Sequence, residues 1–329
     1  MPTKIGFIGL GIMGRPMALN LRQAGYPLQV HARRTESMAP LVAAGAIACA
    51  SPAEVARQVD ILFTLVADTG DVEQVILGDQ GVLAGARPGL VVVDMSTISP
   101  AATRALALRL ADRGLDMLDA PVSGGEIGAI QGTLSIMVGG EPAVFERVRP
   151  LFEILGRNIV HIGGHGAGQV CKSCNQIAIS NTLAGVGEAL LLARASGVDP
   201  AKVRAALLGG SANSRVLEIH GQRMIDRDFN PGFKARLHQK DLRLVMEAAH
   251  ELGLALPGTA LVAQYLNALM GRGLGELDSS ALYQVQEEAS GLAPRAGSWP
   301  ATSAGTPDGA AGHDAEPSGR PAPPCPERP

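Results

Sequence analysis

Short apolar runs alternate with amphipathic helical patterns in the first half of the chain. The runs, which have the length of buried strands, lie at residues 5–8, 28–31, 60–66, 90–94, 117–119 and 134–138. Helical patterns lie between them, for example over residues 52–58 and 101–113. Strands that alternate with helices predict an α/β domain with a doubly wound, mostly parallel sheet. Ligands of such sheets bind at the carboxyl ends of the strands.

The pattern changes after the glycine-rich stretch at residues 163–166. One long amphipathic pattern without proline runs from residue 167 to about residue 196. Further helical patterns follow at residues 201–208, 237–252, 258–270 and 280–288, with no convincing strand among them. We therefore predict an N-terminal α/β domain over residues 1–164 and an all-α domain over residues 165–289. So much apolar helical surface also favours a homodimer or homotetramer.

The last forty residues differ in composition from the rest. Nine of the 22 prolines lie from Ser290 onward, with no apolar period, which predicts a disordered tail over residues 290–329. The net charge of −3 argues against nucleic-acid binding. No apolar run approaches the roughly 20 residues of a membrane span, and the start MPTKIGF lacks a signal-peptide layout. With only four cysteines, we expect a protein of the reducing cytoplasm.

A glycine-rich turn joins the first apolar run to the first helical pattern. It reads Gly9, Leu10, Gly11, Ile12, Met13, Gly14. A strand, a G-x-G-x-x-G turn and a helix in this order form the dinucleotide-binding fingerprint of a Rossmann domain. Gly9 permits the tight turn, Gly11 lets the backbone approach a pyrophosphate, and Gly14 lets the helix pack on the strand. The phosphates would then lie at the N-terminus of the helix.

The end of the second strand bears on the choice between NAD(H) and NADP(H). NAD-binding domains carry an acidic residue there, roughly 20 residues past the glycines, which binds the ribose 2′-OH. This chain has His31, Ala32, Arg33 and Arg34 instead. Because guanidinium groups bind phosphate at two points, Arg33 and Arg34 predict a preference for NADP(H), with NAD(H) possible. The alternative is that both arginines are ordinary surface charges.

Four sequence blocks resemble those of the β-hydroxyacid dehydrogenases, a family that includes the 3-hydroxyisobutyrate dehydrogenases. They are GFIGLGIMGRPMALNL near the start, DAPVSGG at residues 119–125, GAGQVCKSCNQ at residues 166–176 and KDL at residues 240–242. The resemblance covers about residues 3–289. It implies a nicotinamide-dependent oxidoreductase, and within the family the stretches at 175–176, 230–233 and 237–242 are most similar to the branch that reduces tartronate semialdehyde to glycerate.

Lys172 is the candidate proton donor. Hydride transfer to an aldehyde builds negative charge on its oxygen, so a donor with a tuned pKa must protonate it. Lys172 lies in the first turns of the long helix, where burial and the positive helix end would lower its pKa. Asn175 shares this helix face and could orient the lysine or the substrate hydroxyl. The alternative, a solvated lysine on an amphipathic helix, is common, but the resemblance also implies that Lys172 is the general acid.

A second group of residues is expected to bind the substrate and the cofactor. Ser123, Gly124 and Gly125 follow a strand end, and the N–H groups of such a turn can bind a carboxylate; a plain turn is the alternative. By resemblance, Lys240 binds the carboxylate or lies near the nicotinamide, unless it only pairs with Asp241. The resemblance further implies cofactor contacts at Val66, Ala67 and Thr97, positions that core packing or a helix cap would explain equally well.

The sequence Cys171-Lys172-Ser173-Cys174 is a C-x-x-C, the spacing of some metal and redox sites. A zinc site needs a second pair of ligands, and no nearby Cys or His pair has the spacing, so we predict no metal and structural thiols.

Two classes of function remain. The first is an enzyme that reduces a short aldehyde acid with NADPH, or oxidises 3-hydroxyisobutyrate or another β-hydroxyacid. The second is an NADP-binding redox sensor without hydride chemistry, which has no need of a proton donor such as Lys172.

Overall fold

In the computed structural model of the chain, residues 2–292 are described. Within them, nine strands form one sheet. The strands are β1 (Ile5–Ile8), β2 (Leu28–His31), β3 (Ile47–Ala48), β4 (Ile61–Thr64), β5 (Val91–Asp94), β6 (Asp116–Asp119), β7 (Val122–Ser123), β8 (Leu134–Gly140) and β9 (Gly156–Gly163).

The sheet has the strand order of a doubly wound dinucleotide-binding domain. β3, β2, β1, β4, β5 and β6 lie side by side in that order and run parallel. The order reverses between β1 and β4, where the chain opens a crevice at the carboxyl ends of the strands. β8 adds an antiparallel edge, because it runs against β6 and β7 and parallel to β9. The prediction of a mostly parallel, doubly wound sheet is therefore confirmed.

Helices cover both faces of the sheet and continue beyond it. They are α1 (Gly14–Gln23), α2 (Ala39–Ala43), α3 (Pro52–Gln58), α4 (Thr69–Leu77), α5 (Val82–Gly85), α6 (Pro100–Ala111), α7 (Gly125–Gln131), α8 (Pro142–Leu155), α9 (Ala167–Ala195), α10 (Pro200–Leu208), α11 (Arg215–Asp226), α12 (Ala235–Glu251), α13 (Pro257–Gly271) and α14 (Leu282–Ala289). Short 3₁₀ turns lie at Thr35–Met38 and Ser279–Ala281.

Every residue of the central strands β1, β4 and β5 is buried, and successive side chains face opposite sides of the sheet, which explains the apolar runs. On β5, Val91 and Val93 face one hydrophobic core, whereas Val92 faces the other. A strand that is buried on both faces needs apolar residues at every position. Helix starts are marked locally: the side chains of Ser51, Ser99 and Ser214 each accept a hydrogen bond from a backbone N–H in the first turn of their helices, α3, α6 and α11.

The residues after β9 form a helical domain with its own hydrophobic core. Within the described part of this domain, the one β-type pairing is an isolated bridge between Lys234 and Asp278. The predicted all-α character is therefore confirmed. α9 runs through this core, burying Leu183, Leu190 and Leu191, and its first turns pack against β8.

The prediction that no segment is long and apolar enough for a membrane span is wrong. α9 has 29 residues and is apolar enough, by length and composition, to cross a membrane. However, half of the most apolar stretch of α9 is buried inside the protein. Because the core helix of a folded domain passes the same test, this helix is weak evidence for a membrane protein.

The apolar patterns located most elements within two residues but missed several. No bounds were predicted for β3, β7, β9, α2, α4, α5, α7, α8 and α11. α7 begins at glycines with positive φ, 135° at Gly124 and 62° at Gly125, and a glycine-rich start hides a helical pattern. Of the predicted disordered tail, residues 290–292 close the last turn after α14; the remainder lies outside the described residues.

Candidate active site

In the glycine turn after β1, neighbouring backbone atoms leave no room for a side chain at Gly9 and Gly14, whereas Gly11 has room for one. A Cβ on Gly9 would overlap the carbonyl oxygen of Leu65, and one on Gly14 would overlap the carbonyl oxygen of Gly9. A Cβ on Gly11 would meet no atom of the described residues within 4 Å. In the described part of the chain, no side chain caps the N-terminus of α1, and the first turn of this helix carries no acidic residue. The turn therefore has the free space and the free helix end that a pyrophosphate requires.

The other residues of the predicted turn contribute differently. Leu10 is buried and Met13 packs against the core, whereas the side chain of Ile12 is 44% exposed beside the open position.

A series of contacts connects the glycine turn to the start of α9. Val66, which follows β4, packs close to Gly9, and its N–H donates to the Ser96 hydroxyl at 2.9 Å. The carbonyl of Ser96, just past β5, accepts from the Gln169 side chain at 2.8 Å. Gln169 lies in the first turn of α9 and also accepts from the N–H of Ile98 at 3.1 Å. The ends of β1, β4 and β5 and the first turn of α9 therefore meet at one edge of the sheet.

Asp119, the last residue of β6, also binds the start of α9. The Asp119 carboxylate is fully buried and accepts from the N–H groups of Gly166 and Gln169, at 2.8 and 3.0 Å. Burial raises the pKa of this carboxyl, while the two backbone donors act in the opposite direction. A Cβ on Gly168 would overlap the carbonyl oxygen of Met137 on β8. The first turn of α9 is therefore locked against the sheet, one turn before Lys172.

Lys172 is buried, with 8% of its surface exposed. Its Nζ donates to the carbonyl oxygen of Val122 at 2.9 Å, which places the ammonium directly beside Ser123. Burial lowers the pKa of Lys172 below its ordinary value of 10.5, whereas the Asp241 carboxylate raises it and the Lys240 ammonium lowers it. A lysine held in this way can give up a proton more readily than a solvated one.

The predicted carboxylate-binding turn lies next to this ammonium. Ser123 ends β7 and is half-buried, and Gly124 and Gly125 continue into α7 with positive φ. The positive φ of these two glycines turns the chain sharply at the edge of the sheet, at a position that L-residues with a side chain rarely adopt.

A polar chain leads from Asn175 to the end of β5. The Asn175 amide donates to the Gln176 side chain at 2.8 Å, and the Gln176 amide donates to Asp241 at 2.6 Å. The other oxygen of Asp241 pairs with Lys240 Nζ at 2.8 Å. Lys240 also donates to the carbonyl oxygen of Thr97 at 2.5 Å, from α12 across to the sheet. Lys240 thus makes the salt bridge considered as its alternative role and also reaches the strand end.

The predicted 2′-phosphate site is exposed. The side chain of Arg33 is 83% exposed and pairs with Asp71 of α4 at 3.3 Å. Arg34 is exposed beside it, and Ala67 is exposed near the end of β4. Both guanidinium groups can therefore meet a ligand from solvent.

Several buried polar residues of the site were not among the predicted ones. Gln169, Gln176 and Ser180 share the buried face of α9 with Lys172, at steps of three or four residues. Polar side chains at this spacing on an apolar helix are a signal that could have identified the face. Burial lowers the pKa of His238, on α12, to about 4, and within residues 2–292 neither of its ring nitrogens has a hydrogen-bond partner. Its neutral ring packs against Phe233.

The two cysteines beside Lys172 are free thiols, as is Cys49. Within residues 2–292, no group of three or more His, Cys, Asp or Glu side chains could hold a metal ion.

Comparison with known families agrees with this architecture. A model of the NAD binding domain of 6-phosphogluconate dehydrogenase matches residues 4–163. A model described as NAD-binding of NADP-dependent 3-hydroxyisobutyrate dehydrogenase matches residues 166–286. The fold and the site thus define an oxidoreductase that uses a nicotinamide dinucleotide, built from a Rossmann domain and a helical domain.

Individual relatives identify the family. The 2-hydroxy-3-oxopropionate reductase of Escherichia coli (strain K12) is 52% identical over 285 residues, covering 86% of this chain and 97% of the relative. The structure of Mycobacterium tuberculosis 3-hydroxyisobutyrate dehydrogenase with L-serine is 31% identical, with a TM-score of 0.80, covering 87% of this chain and 99% of the other. Psf3 in complex with NADP+ and 2-OPP is 28% identical, with a TM-score of 0.79, covering 86% and 99%.

The chain belongs to the 3-hydroxyisobutyrate dehydrogenase family of β-hydroxyacid dehydrogenases. It is an NAD(P)-dependent oxidoreductase that acts on a hydroxyl group and its carbonyl counterpart. This places it among enzymes rather than nucleotide-binding sensors.

Proposed function

We propose that the enzyme reduces 2-hydroxy-3-oxopropionate, also called tartronate semialdehyde, to glycerate with NADPH, and that Lys172 donates the proton. The observation that carries this proposal is the contact between Lys172 Nζ and the carbonyl oxygen of Val122, at 2.9 Å. It puts a buried ammonium beside the Ser123–Gly125 turn, where a short acid would bind. The 52% identity to 2-hydroxy-3-oxopropionate reductase supports the choice of substrate.

Each side chain has a definite task in this proposal. The Ser123 hydroxyl and the N–H groups of the glycine turn bind the substrate carboxylate. Lys172 protonates the aldehyde oxygen as negative charge develops there. Lys240 bridges the helical domain and the end of β5, and its charge favours an anionic substrate. The turn from Gly9 to Gly14, with Val66, Ala67 and Thr97, holds the cofactor, which supplies the hydride when bound.

The proposed proton donor predicts the pH dependence of the reaction. Reduction uses the ammonium form of Lys172, so kcat should fall as the pH rises through the pKa of that group. Because burial lowers this pKa, the alkaline limb of kcat should lie below 10.5. Oxidation of the alcohol uses the neutral amine, so kcat in that direction should rise as the pH rises through the same pKa. Steady-state kinetics in both directions from pH 6 to 10 measure both limbs.

Asp241→Asn provides the control for this profile. The Asp241 carboxylate raises the pKa of Lys172, so its loss should move the limb to lower pH. The assignment to Lys172 is contradicted if the pH at which kcat falls is the same in Asp241→Asn as in the parent. It is also contradicted if kcat of the parent falls only near 10.5, the ordinary pKa of a lysine.

We further propose that Arg33 and Arg34 select NADP(H) by binding the 2′-phosphate. Neither residue at the end of β2, His31 or Ala32, offers a carboxylate to the ribose 2′-OH. In Arg33→Ala/Arg34→Ala, the ratio of kcat/KM for NADPH over NADH should fall by about 10- to 100-fold, because charge-assisted hydrogen bonds to the phosphate are lost. Kinetics with both cofactors at a fixed, low salt concentration give the ratio.

Arg113→Ala, which removes an exposed arginine next to α6, is the matched control and should leave the ratio unchanged. An unchanged ratio in the double variant would assign Arg33 and Arg34 to the solvated surface.

A substrate panel tests the proposed activity. The panel contains tartronate semialdehyde, methylmalonate semialdehyde, glycerate, 3-hydroxyisobutyrate and L-serine, each with NADPH or NADP+ as the direction requires. The highest kcat/KM is expected with tartronate semialdehyde. The runner-up is a 3-hydroxyisobutyrate dehydrogenase, favoured by the likeness to the Mycobacterium tuberculosis enzyme. A higher kcat/KM for methylmalonate semialdehyde and 3-hydroxyisobutyrate than for tartronate semialdehyde and glycerate would instead establish a 3-hydroxyisobutyrate dehydrogenase.

A further inference from the structure

A buried carboxylate with only neutral hydrogen-bond donors ends β5. Asp94 is fully buried, and its Oδ1 accepts hydrogen bonds from the Thr64 hydroxyl at 2.8 Å and from the N–H of Ser96 at 3.2 Å. Among the described residues, the Oδ2 of Asp94 has no hydrogen-bond partner. Burial raises the pKa of Asp94 to about 6, so the group still carries its negative charge above neutral pH.

The neighbouring carboxylate on β6 is compensated in a way that Asp94 is not. Asp119 is in register with Asp94, as Thr64 is on the other side. The Asp119 carboxylate accepts from two N–H groups at the start of α9, where the positive helix end offsets its charge. The titratable groups that act on this pair are Asp119 itself and, beyond it, His165. Asp94 is therefore the less compensated of the two negative charges.

The end of β5 lies in the half of the sheet that takes the nicotinamide. In a doubly wound sheet, the adenosine binds over the strands on one side of the point where the order reverses, and the second mononucleotide binds over the strands on the other side. Here these other strands are β4, β5 and β6. Just past Asp94, the carbonyl groups of Ser96 and Thr97 bind Gln169 of α9 and Lys240 of α12. Asp94 thus lies beneath the crevice between the two domains.

We propose that the buried charge of Asp94 favours the oxidised, positively charged nicotinamide ring over the reduced, neutral ring, and so assists hydride donation by NADPH. NADP+ and NADPH carry the same phosphate groups and differ by the charge of this ring. Unit charges about 15 Å apart, at an effective dielectric constant of about 20, change a binding constant about sixfold, so no direct contact is needed. The effect on turnover rests on the proposed reduction of an aldehyde acid, whereas the effect on cofactor binding does not.

Asp94→Asn tests the charge, because asparagine keeps an oxygen that can accept from Thr64 and Ser96. Isothermal titration of the full-length enzyme at pH 7.5 gives Kd for NADP+ and for NADPH. We expect the variant to raise Kd for NADP+ by about 3- to 10-fold and to leave Kd for NADPH within about twofold. A merely structural role of Asp94 would raise both Kd values by the same factor, and an unchanged ratio would therefore overturn the inference.

Asp116→Asn is the matched control. Asp116 begins β6, at the opposite end of the strand from the crevice, and is half-buried. Its loss changes the net charge by the same amount and should leave the ratio of the two Kd values unchanged. An equal effect in both variants would show that net charge, and not the position of Asp94, determines the ratio, and the inference would fail.

The parent enzyme offers a second test that needs no variant. As the pH falls from 7.5 to 5, protonation of Asp94 should raise Kd for NADP+ relative to that for NADPH by at least about threefold. The phosphate groups titrate in both cofactors and cancel in the ratio. A ratio that does not change with pH in the parent contradicts the inference. So does a pH dependence that persists in Asp94→Asn, because Asp119 or His165 would then be its source.

Stability and turnover separate this inference from the proposed function. The folded state raises the pKa of Asp94 above the value of 3.8, so the ionised group costs stability above pH 6, and Asp94→Asn should melt no lower than the parent at pH 7.5. In the variant, kcat for aldehyde reduction should fall by about 3- to 10-fold. If the parent reduces none of the aldehyde acids but the Kd ratio changes as expected, the proposed function fails and the role of Asp94 stands. If the parent reduces them and the ratio is unchanged, only the role of Asp94 fails.

Discussion

Lys172→Met should lower kcat for the reduction of tartronate semialdehyde by about 10²- to 10⁴-fold, the usual contribution of a general acid. Among the described residues, the Nζ of Lys172 donates a hydrogen bond only to Val122 O, and no cofactor contact is expected from it, so the dissociation constant for NADPH should not change. Stopped-flow or steady-state kinetics and a fluorescence titration of bound NADPH measure the two quantities separately.

The same variant should be about as stable as the parent enzyme. The folded state lowers the pKa of Lys172, so the unfolded chain binds this proton more tightly. The resulting cost to stability is fully present below the lowered pKa and disappears as the pH rises towards 10.5. At neutral pH, methionine removes this cost and leaves Val122 O without its donor, two effects of opposite sign. A thermal melt at pH 7 should therefore show a midpoint close to that of the parent.

Lys202→Met is the control for kcat, because this lysine is exposed on α10. If Lys172→Met kept kcat within about threefold, the lysine would not be the proton donor, and the proposed mechanism would fail. A variant that lost both activity and NADPH binding would instead indicate a general disruption of the crevice.

The location of Lys172 could be predicted because it depends on local rules. The long pattern without proline begins after Gly166, and the structure starts α9 at Ala167. Spacing along one helix then decides which side chains lie near Lys172. Likewise, the three central strands β1, β4 and β5 are buried on both faces, so their apolar runs are visible in the sequence.

The polar contacts around Lys172 could not be predicted in this way, because they join distant parts of the chain. Gln176 reaches Asp241 across 65 residues, and Lys240 reaches Thr97 across 143 residues. Such contacts depend on how α12 is rotated and shifted against α9, which no local pattern records. The same holds for Arg33 and Asp71, 38 residues apart. Amphipathic patterns predict which face of a helix is buried, but not which side chains meet there.

The antiparallel edge of the sheet was missed for a related reason. β7 has two residues, and β9 is exposed or half-buried after its first residue, so neither forms an apolar run. Both depend on pairing with β8. This edge carries Val122 and Ser123, so it also supplies the carbonyl oxygen that Lys172 contacts.

Gly11→Ala and Gly14→Ala should have opposite effects, although both change one glycine of the same turn. A Cβ at Gly11 meets no protein atom within 4 Å, and the residue has no positive φ, so the variant should fold and melt like the parent. The new methyl group would occupy the space in which the pyrophosphate approaches the backbone. We expect the dissociation constant for NADPH to rise by about 10- to 100-fold, since such overpacking costs about 1–3 kcal/mol.

In Gly14→Ala the methyl group would meet the carbonyl oxygen of Gly9 and lie close to the Phe7 ring, with no ligand needed for the clash. Backbone must move, so the apo protein should lose about 1–3 kcal/mol of unfolding free energy. Gly271→Ala, at an open position at the end of α13, controls for the change from glycine to alanine. Chemical denaturation without cofactor and isothermal titration with NADPH distinguish the two outcomes. An intact NADPH affinity in Gly11→Ala would mean that the pyrophosphate does not lie against this turn.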